Sequence, residues 1–313
     1  MWVNENGSIG YHISTLAKQF ARLDAQTARQ RIETLLDAHV QASPENAHPK
    51  PVPQLTRAVS APGAKTAAQD LTDIKNKLDA HVKKWSNLAG DIFLLDGDIN
   101  RATALGDATM ARHLQSKLDA RNAEMQKLIA ETRSHVMLPA GERGKVSFNH
   151  FTPTTKAAAL AGAKLAESYI HPSLLPTVNA VDFNRNRAAH YRGMLLINLK
   201  TDASTVMHEI THAVEQQSPH ILKASQDFLK KRAGNESSQK LSDLTGNKEY
   251  KAYEEAYEDE FFSRGGEHYA GKIYPDATEL LTMGIERLHE NPVEFYSNDP
   301  EYFDFVIHTL QQP

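Results

Sequence analysis

The sequence predicts an α+β protein: a mainly helical N-terminal region with a long helical hairpin, then a part built from a small mixed sheet and packed helices. Three observations carry this expectation. Up to about residue 138, apolar residues recur at spacings of three and four. Short runs of strand character first appear after Pro139. Helical spacing then returns from Asp202 onward. With 40% hydrophobic and 24% charged residues over 313 positions, the chain can bury a core and is not predicted to be disordered.

Residues 1–42 are expected to form an N-terminal helix, with Leu16, Phe20, Leu23, Ile32, Leu35, Leu36 and Val40 on its apolar side. Residues 43–69 read as a Pro/Ala-rich linker, because Pro44, Pro49, Pro51, Pro53 and Pro62 interrupt any hydrophobic period. The hairpin is assigned to 70–138. Leu71, Ile74, Leu78, Val82, Trp85, Leu88, Ile92, Leu95 and Ile99 stripe its first arm; Met110, Leu114, Leu118, Met125, Leu128 and Ile129 stripe its second. Leu105-Gly106-Asp107 supplies the turn. Over 139–313, strands are predicted at Val146–Asn149, Val178–Phe183 and Met194–Leu199, with an Ala-rich helix over Thr155–Ile170.

Several function classes are disfavoured. A net charge of −4 provides no electrostatic basis for binding nucleic acid or an anionic membrane. No apolar run approaches the ~20 residues of a membrane span. The first seven residues lack a basic n-region and an apolar h-region, so no cleavable secretory signal is expected. A cytoplasmic location, or export by a dedicated secretion system into a host cell, fits that pattern. The absence of cysteine excludes disulfides, thiolate metal ligands and a cysteine nucleophile.

The chemically informative segment is His208-Glu209-Ile210-Thr211-His212. On a helix, residues four apart share a face, so both imidazoles can aim at one cation. Zinc takes nitrogen ligands at ~2.0–2.1 Å and, in catalytic sites, usually three protein ligands. Glu209, one position round the helix, can reach a water activated by the metal and act as general base. Thr201 or Asp202 can cap this helix. The apolar strand running into it suits an edge that pairs with an extended peptide substrate.

Spacing leaves the third ligand open. The short metzincin continuation to a third histidine is missing. His220, His268 and His289 are available, as are glutamates on two predicted helices: Glu254, Glu255 and Glu258 over Tyr250–Phe262, and Glu279 and Glu286 over Asp276–His289.

The stretch from Arg187-Ala188-Ala189-His190-Tyr191 to the C-terminus resembles zincin-like metallopeptidase domains of phage head-assembly proteins and related bacterial effector or toxin proteins. The resemblance rests on His208–Glu215, on Tyr269-Ala270-Gly271-Lys272-Ile273-Tyr274, on Thr278–Glu286 and on Asp299–Phe305. It implies a zincin-like fold, Zn²⁺ as cofactor and Glu279 as third ligand. It also implies Tyr274, or Tyr269, as the donor to the oxyanion, with Glu286 behind a ligand. One departure stands out. Thermolysin-like enzymes carry aspartate four residues after the ligand glutamate, where this chain has Met283. Either another residue contacts the ligand histidine, or Glu279 is not the ligand.

The expected function is hydrolysis of a peptide bond in a protein or peptide substrate by a zinc metallopeptidase. The alternatives are a partner-binding protein on a degenerate zincin scaffold and a zinc amidohydrolase of another kind. An intact Glu209 argues against degeneracy, since a structural zinc has no use for that carboxylate.

Overall fold

The computed structural model describes residues 2–3, 9–10, 67–152, 154–183, 188–248, 250–257, 268–274 and 276–312. They fall into two units, Met1–Asp73 with Lys83–Met125 and Ile74–Val82 with Gln126–Pro313.

In the first unit, Trp2–Val3 (β1) pairs antiparallel with Ile9–Gly10 (β2). The helix expected over residues 1–42 is not formed at either pair. Instead Ile9–Gly10 is extended, its backbone committed to β1 and Gly10 being a poor helix former. The rest of that predicted helix, and the linker up to residue 66, lie outside the described residues. Two long helices follow, α1 (Ala67–Ala104) and α2 (Ala108–Val136), of which Ile74–Val82 and Gln126–Val136 belong to the second unit. Gly106, at φ 75°, makes the turn between them, and Asp107 Oδ1 accepts the Met110 amide at 2.9 Å to cap α2. Arg121 Nε meets Asp91 at 3.1 Å between the arms. Within this unit Leu88 is buried, whereas Leu94, Leu105 and Met110 are exposed.

The second unit is mixed α+β, mostly helical. Its four-stranded sheet has the order β3–β4–β6–β5, built from Ser147–Phe151 (β3), Thr177–Asp182 (β4), Ala189–Tyr191 (β5) and Met194–Ile197 (β6). β3, β4 and β6 are parallel; β5 runs antiparallel to β6. Helix α3 (Lys156–Ala166) provides the crossover from β3 to β4 that a parallel pair requires. Arg192 and Gly193 join β5 to β6 with φ of 50° and 79°. Positive φ at both positions is what a type I′ hairpin turn demands. The predicted Met194–Leu199 strand therefore lies inside the sheet, and the edge beside the site is β5.

Helices α4 (Ala203–Gln217) and α5 (Pro219–Ala233) follow. A two-residue pair, Gln239–Lys240 (β7) with Glu255–Ala256 (β8), brackets the short helix α6 (Leu241–Thr245). The helix expected over Tyr250–Phe262 is not formed across its described part. Residues 250–257 are turns ending in β8, where Glu255 and Ala256 pair with Lys240 and Gln239. Tertiary pairing overrides the local helical spacing of Tyr250, Tyr253 and Tyr257. The chain closes with α7 (Leu280–Glu290), α8 (Pro292–Asn298) and α9 (Pro300–Gln311).

Two glycines set the helix packing around the site. A Cβ on Gly162 of α3 would collide with Val206 of α4, and one on Gly284 of α7 with Val306 of α9. Each glycine lets a helix approach more closely than any larger residue permits. Val206, Met207, Ile210 and Val214 of α4 are fully buried with Leu280, Leu281 and Ile285 of α7. The two helices that frame the site are thus clamped from behind. Among the described residues, no helix is long and apolar enough to cross a membrane.

Candidate metal site

Asp202 starts α4, its Oδ1 accepting the Thr205 amide at 2.7 Å. One turn separates His208 from His212, so both rings leave the same face; their centroids lie 5.0 Å apart. Across from them stands Glu279, the residue preceding the first turn of α7 and 1% exposed. Its Oε2 is 3.3 Å from His208 Nε2 and 3.3 Å from His212 Nε2. The other oxygen, Oε1, accepts a hydrogen bond from the Tyr274 hydroxyl at 2.8 Å. Thr282 Oγ1 lies 3.1 Å from Oε2 and 3.0 Å from the Glu279 carbonyl.

Behind each imidazole lies a carboxylate. Glu286 Oε1 stands 3.3 Å from His208 Nδ1. Glu215 Oε2 stands 4.0 Å from His212 Nδ1, which has no hydrogen-bond partner among the described residues. Glu215 is held by the Thr278 amide at 2.9 Å and hydroxyl at 2.6 Å. The contact that Met283 cannot make is therefore supplied to His208 by Glu286, and a second carboxylate faces His212. Glu209 is buried beside the pair, its charge acting on His212.

The electrostatics follow from this crowding. Burial works against protonation of His208, but Glu279 and Glu286 outweigh it and carry its pKa up to about 10. Burial opposes protonation of His212 as well, and Glu279 again raises it. Burial would raise Glu279, yet the two imidazoles hold it well below the usual carboxylate range. Burial, then the Glu279 charge, pushes the Tyr274 hydroxyl up.

Among the described residues, His208, His212 and Glu279 form a group able to hold a metal ion, their ligand atoms all within 4.8 Å of one another. The donor set is two imidazoles and one carboxylate, with no thiolate. Donors at ~2.0–2.1 Å from a tetrahedral cation stand about 3.3–3.4 Å apart. Both nitrogen–oxygen separations have that value. The residues fit the group.

The other candidate ligands lie elsewhere. Glu254 pairs with Lys272 at 2.6 Å, Glu255 accepts from Ser238 at 2.5 Å, and His289 Nδ1 meets the Tyr169 hydroxyl at 3.1 Å. His220 is exposed on α5, and Glu258 lies outside the described residues. Sequence reasoning did not single out His190. It sits on the edge strand with Nε2 buried and without a hydrogen-bond partner among the described residues; burial, then the nearby His212, pushes it down to about 4. It also overlooked Thr278, the anchor of Glu215. A lone histidine in a three-residue strand carries no spacing signal, and the Thr278–Glu215 contact exists only once the chain has folded.

Comparison with protein-family models, with curated proteins and with solved structures finds no match for this chain.

Proposed function

We propose that the chain is a zinc-dependent metallopeptidase of zincin-like type, acting on a protein or peptide substrate as a bacterial effector, toxin or phage-related protease. One observation carries the reading: Glu279 Oε2 lies at the tetrahedral separation of 3.3 Å from the Nε2 atoms of both histidines on one helix. When bound, zinc supplies a Lewis acid that polarises the scissile carbonyl and acidifies water.

The chain's residues do the rest. His208 and His212 would bind as neutral imidazoles; Glu286, 3.3 Å from His208 Nδ1, orients the first ring, while Glu215 faces the second from 4.0 Å without bonding it. Glu209, adjacent to the first ligand yet not among the three that converge, accepts the proton of the attacking water and returns it to the leaving amine. The backbone of β5 offers an extended substrate an edge to pair with. Tyr274 spends its one proton on Glu279 in this structure; the oxyanion role that the resemblance implies requires that bond to break.

The test is Glu209→Gln. Zinc content should be unchanged, while hydrolysis of a protein substrate falls by about 10²–10⁴-fold, the range for loss of a general base. Undiminished hydrolysis in this variant rejects the mechanism.

A further inference from the structure

Lys272 is a cation in an unusual place. It is 5% exposed, and its Nζ is bonded to Glu254 Oε1 at 2.6 Å. The ammonium lies 4.9 Å from the ring centre of Tyr269 and 4.7 Å from that of Tyr274, with Tyr250 at 6.0 Å. Its backbone is fixed too. The Lys272 amide donates to the Tyr269 carbonyl at 3.1 Å, and the Ile273 amide to the Glu255 carbonyl at 2.9 Å, tying this stretch to β8. Burying an ammonium is costly unless it is paired. Here it is paired on one side by a carboxylate and met on the others by aromatic faces, an attraction that grows as water is excluded.

The consequence falls on Glu279. A ring held by its face has its hydroxyl direction fixed, and the Tyr274 hydroxyl is directed at Glu279 Oε1. With Oε1 engaged, Oε2 is the oxygen turned toward both imidazoles. We propose that Lys272 is a positioning residue for the metal site: anchored by Glu254, it clamps Tyr274, which holds Glu279 so that one oxygen serves as ligand. The inference rests on the metal-site reading above and deepens it. It adds a chain of contacts, Glu254 to Lys272 to Tyr274 to Glu279, that links β8 to the ligand set.

The experiment measures zinc affinity of the full chain by competition with a chromogenic chelator, in the wild type, Lys272→Met, Lys272→Arg, Tyr274→Phe and the Lys272→Met/Tyr274→Phe double variant. Removing partners behind a metal ligand typically weakens binding by ~10–100-fold, and that loss is expected for Lys272→Met and for Tyr274→Phe. Lys272→Arg keeps a cation over the rings and should stay within a few-fold of wild type. The double variant should be no weaker than Tyr274→Phe alone, because Lys272 acts through Tyr274. Losses that multiply in the double variant, or wild-type affinity in Lys272→Met, overturn the inference and leave the metal site standing. A wild-type chain that binds no zinc overturns both. If Lys272→Met does not fold, Glu254→Gln takes its place, with the same expected loss and the same overturning result.

Discussion

The α1/α2 hairpin and the α4/α7 pair show the same signature in sequence, apolar residues at spacings of three and four, yet they bury different things. In the hairpin, the ion pair between the arms stays outside: the Arg121 and Asp91 side chains are 42% and 48% exposed. Around α4 and α7, Glu209, Glu215 and Glu279 are buried, and His208 nearly so, among Val206, Ile210, Leu280 and Ile285. Ionisable groups enter an apolar interior only where partners offset the desolvation cost. Hydrophobic period thus locates helices, whereas converging buried charges locate chemistry.

Substitutions can break that contrast, and the largest effect is expected at the ligands. His212→Ala should remove stoichiometric zinc after dialysis, because two remaining ligands bind too weakly to retain it. Elemental analysis of the dialysed variant reads this directly, and full zinc retention would reject the site. A smaller effect tests the clamping of α4. Gly162→Ala should cost about 1–3 kcal/mol through overpacking against Val206, outweighing the ~0.5–1 kcal/mol that alanine adds in a helix. Urea unfolding would show a lower midpoint at unchanged slope; a neutral or raised midpoint means the helices can move apart freely. The smallest effect belongs to the hairpin. Arg121→Ala removes an exposed pair and should change stability by no more than ~1 kcal/mol, leaving zinc content intact. A loss of zinc in that variant would end the distinction between the two helix pairs.

The parts readable from sequence were those encoded by local spacing. His208 and His212 at four apart, the Asp202 cap, the Gly106 turn and the apolar stripes of α1 and α2 are all local signals. Glu279 was reached through resemblance, since nothing in spacing chose it over Glu254, Glu255 or Glu286. What failed did so where tertiary contacts outweigh local preference. Residues 250–257 carry helical spacing, but β8 pairs with β7 and Glu254 is drawn to buried Lys272. The edge position of β5 was likewise hidden, because strand order is a property of the folded sheet.

Glu215 and Thr278 meet in the core through two hydrogen bonds of 2.9 and 2.6 Å. They fasten the two ends of everything between them, from residue 216 to residue 277. One carboxylate thus joins the last turns of α4 to the residue before Glu279, across 63 positions of sequence. Loosening that fastening would let the carboxylate that precedes α7 drift from the imidazoles of α4.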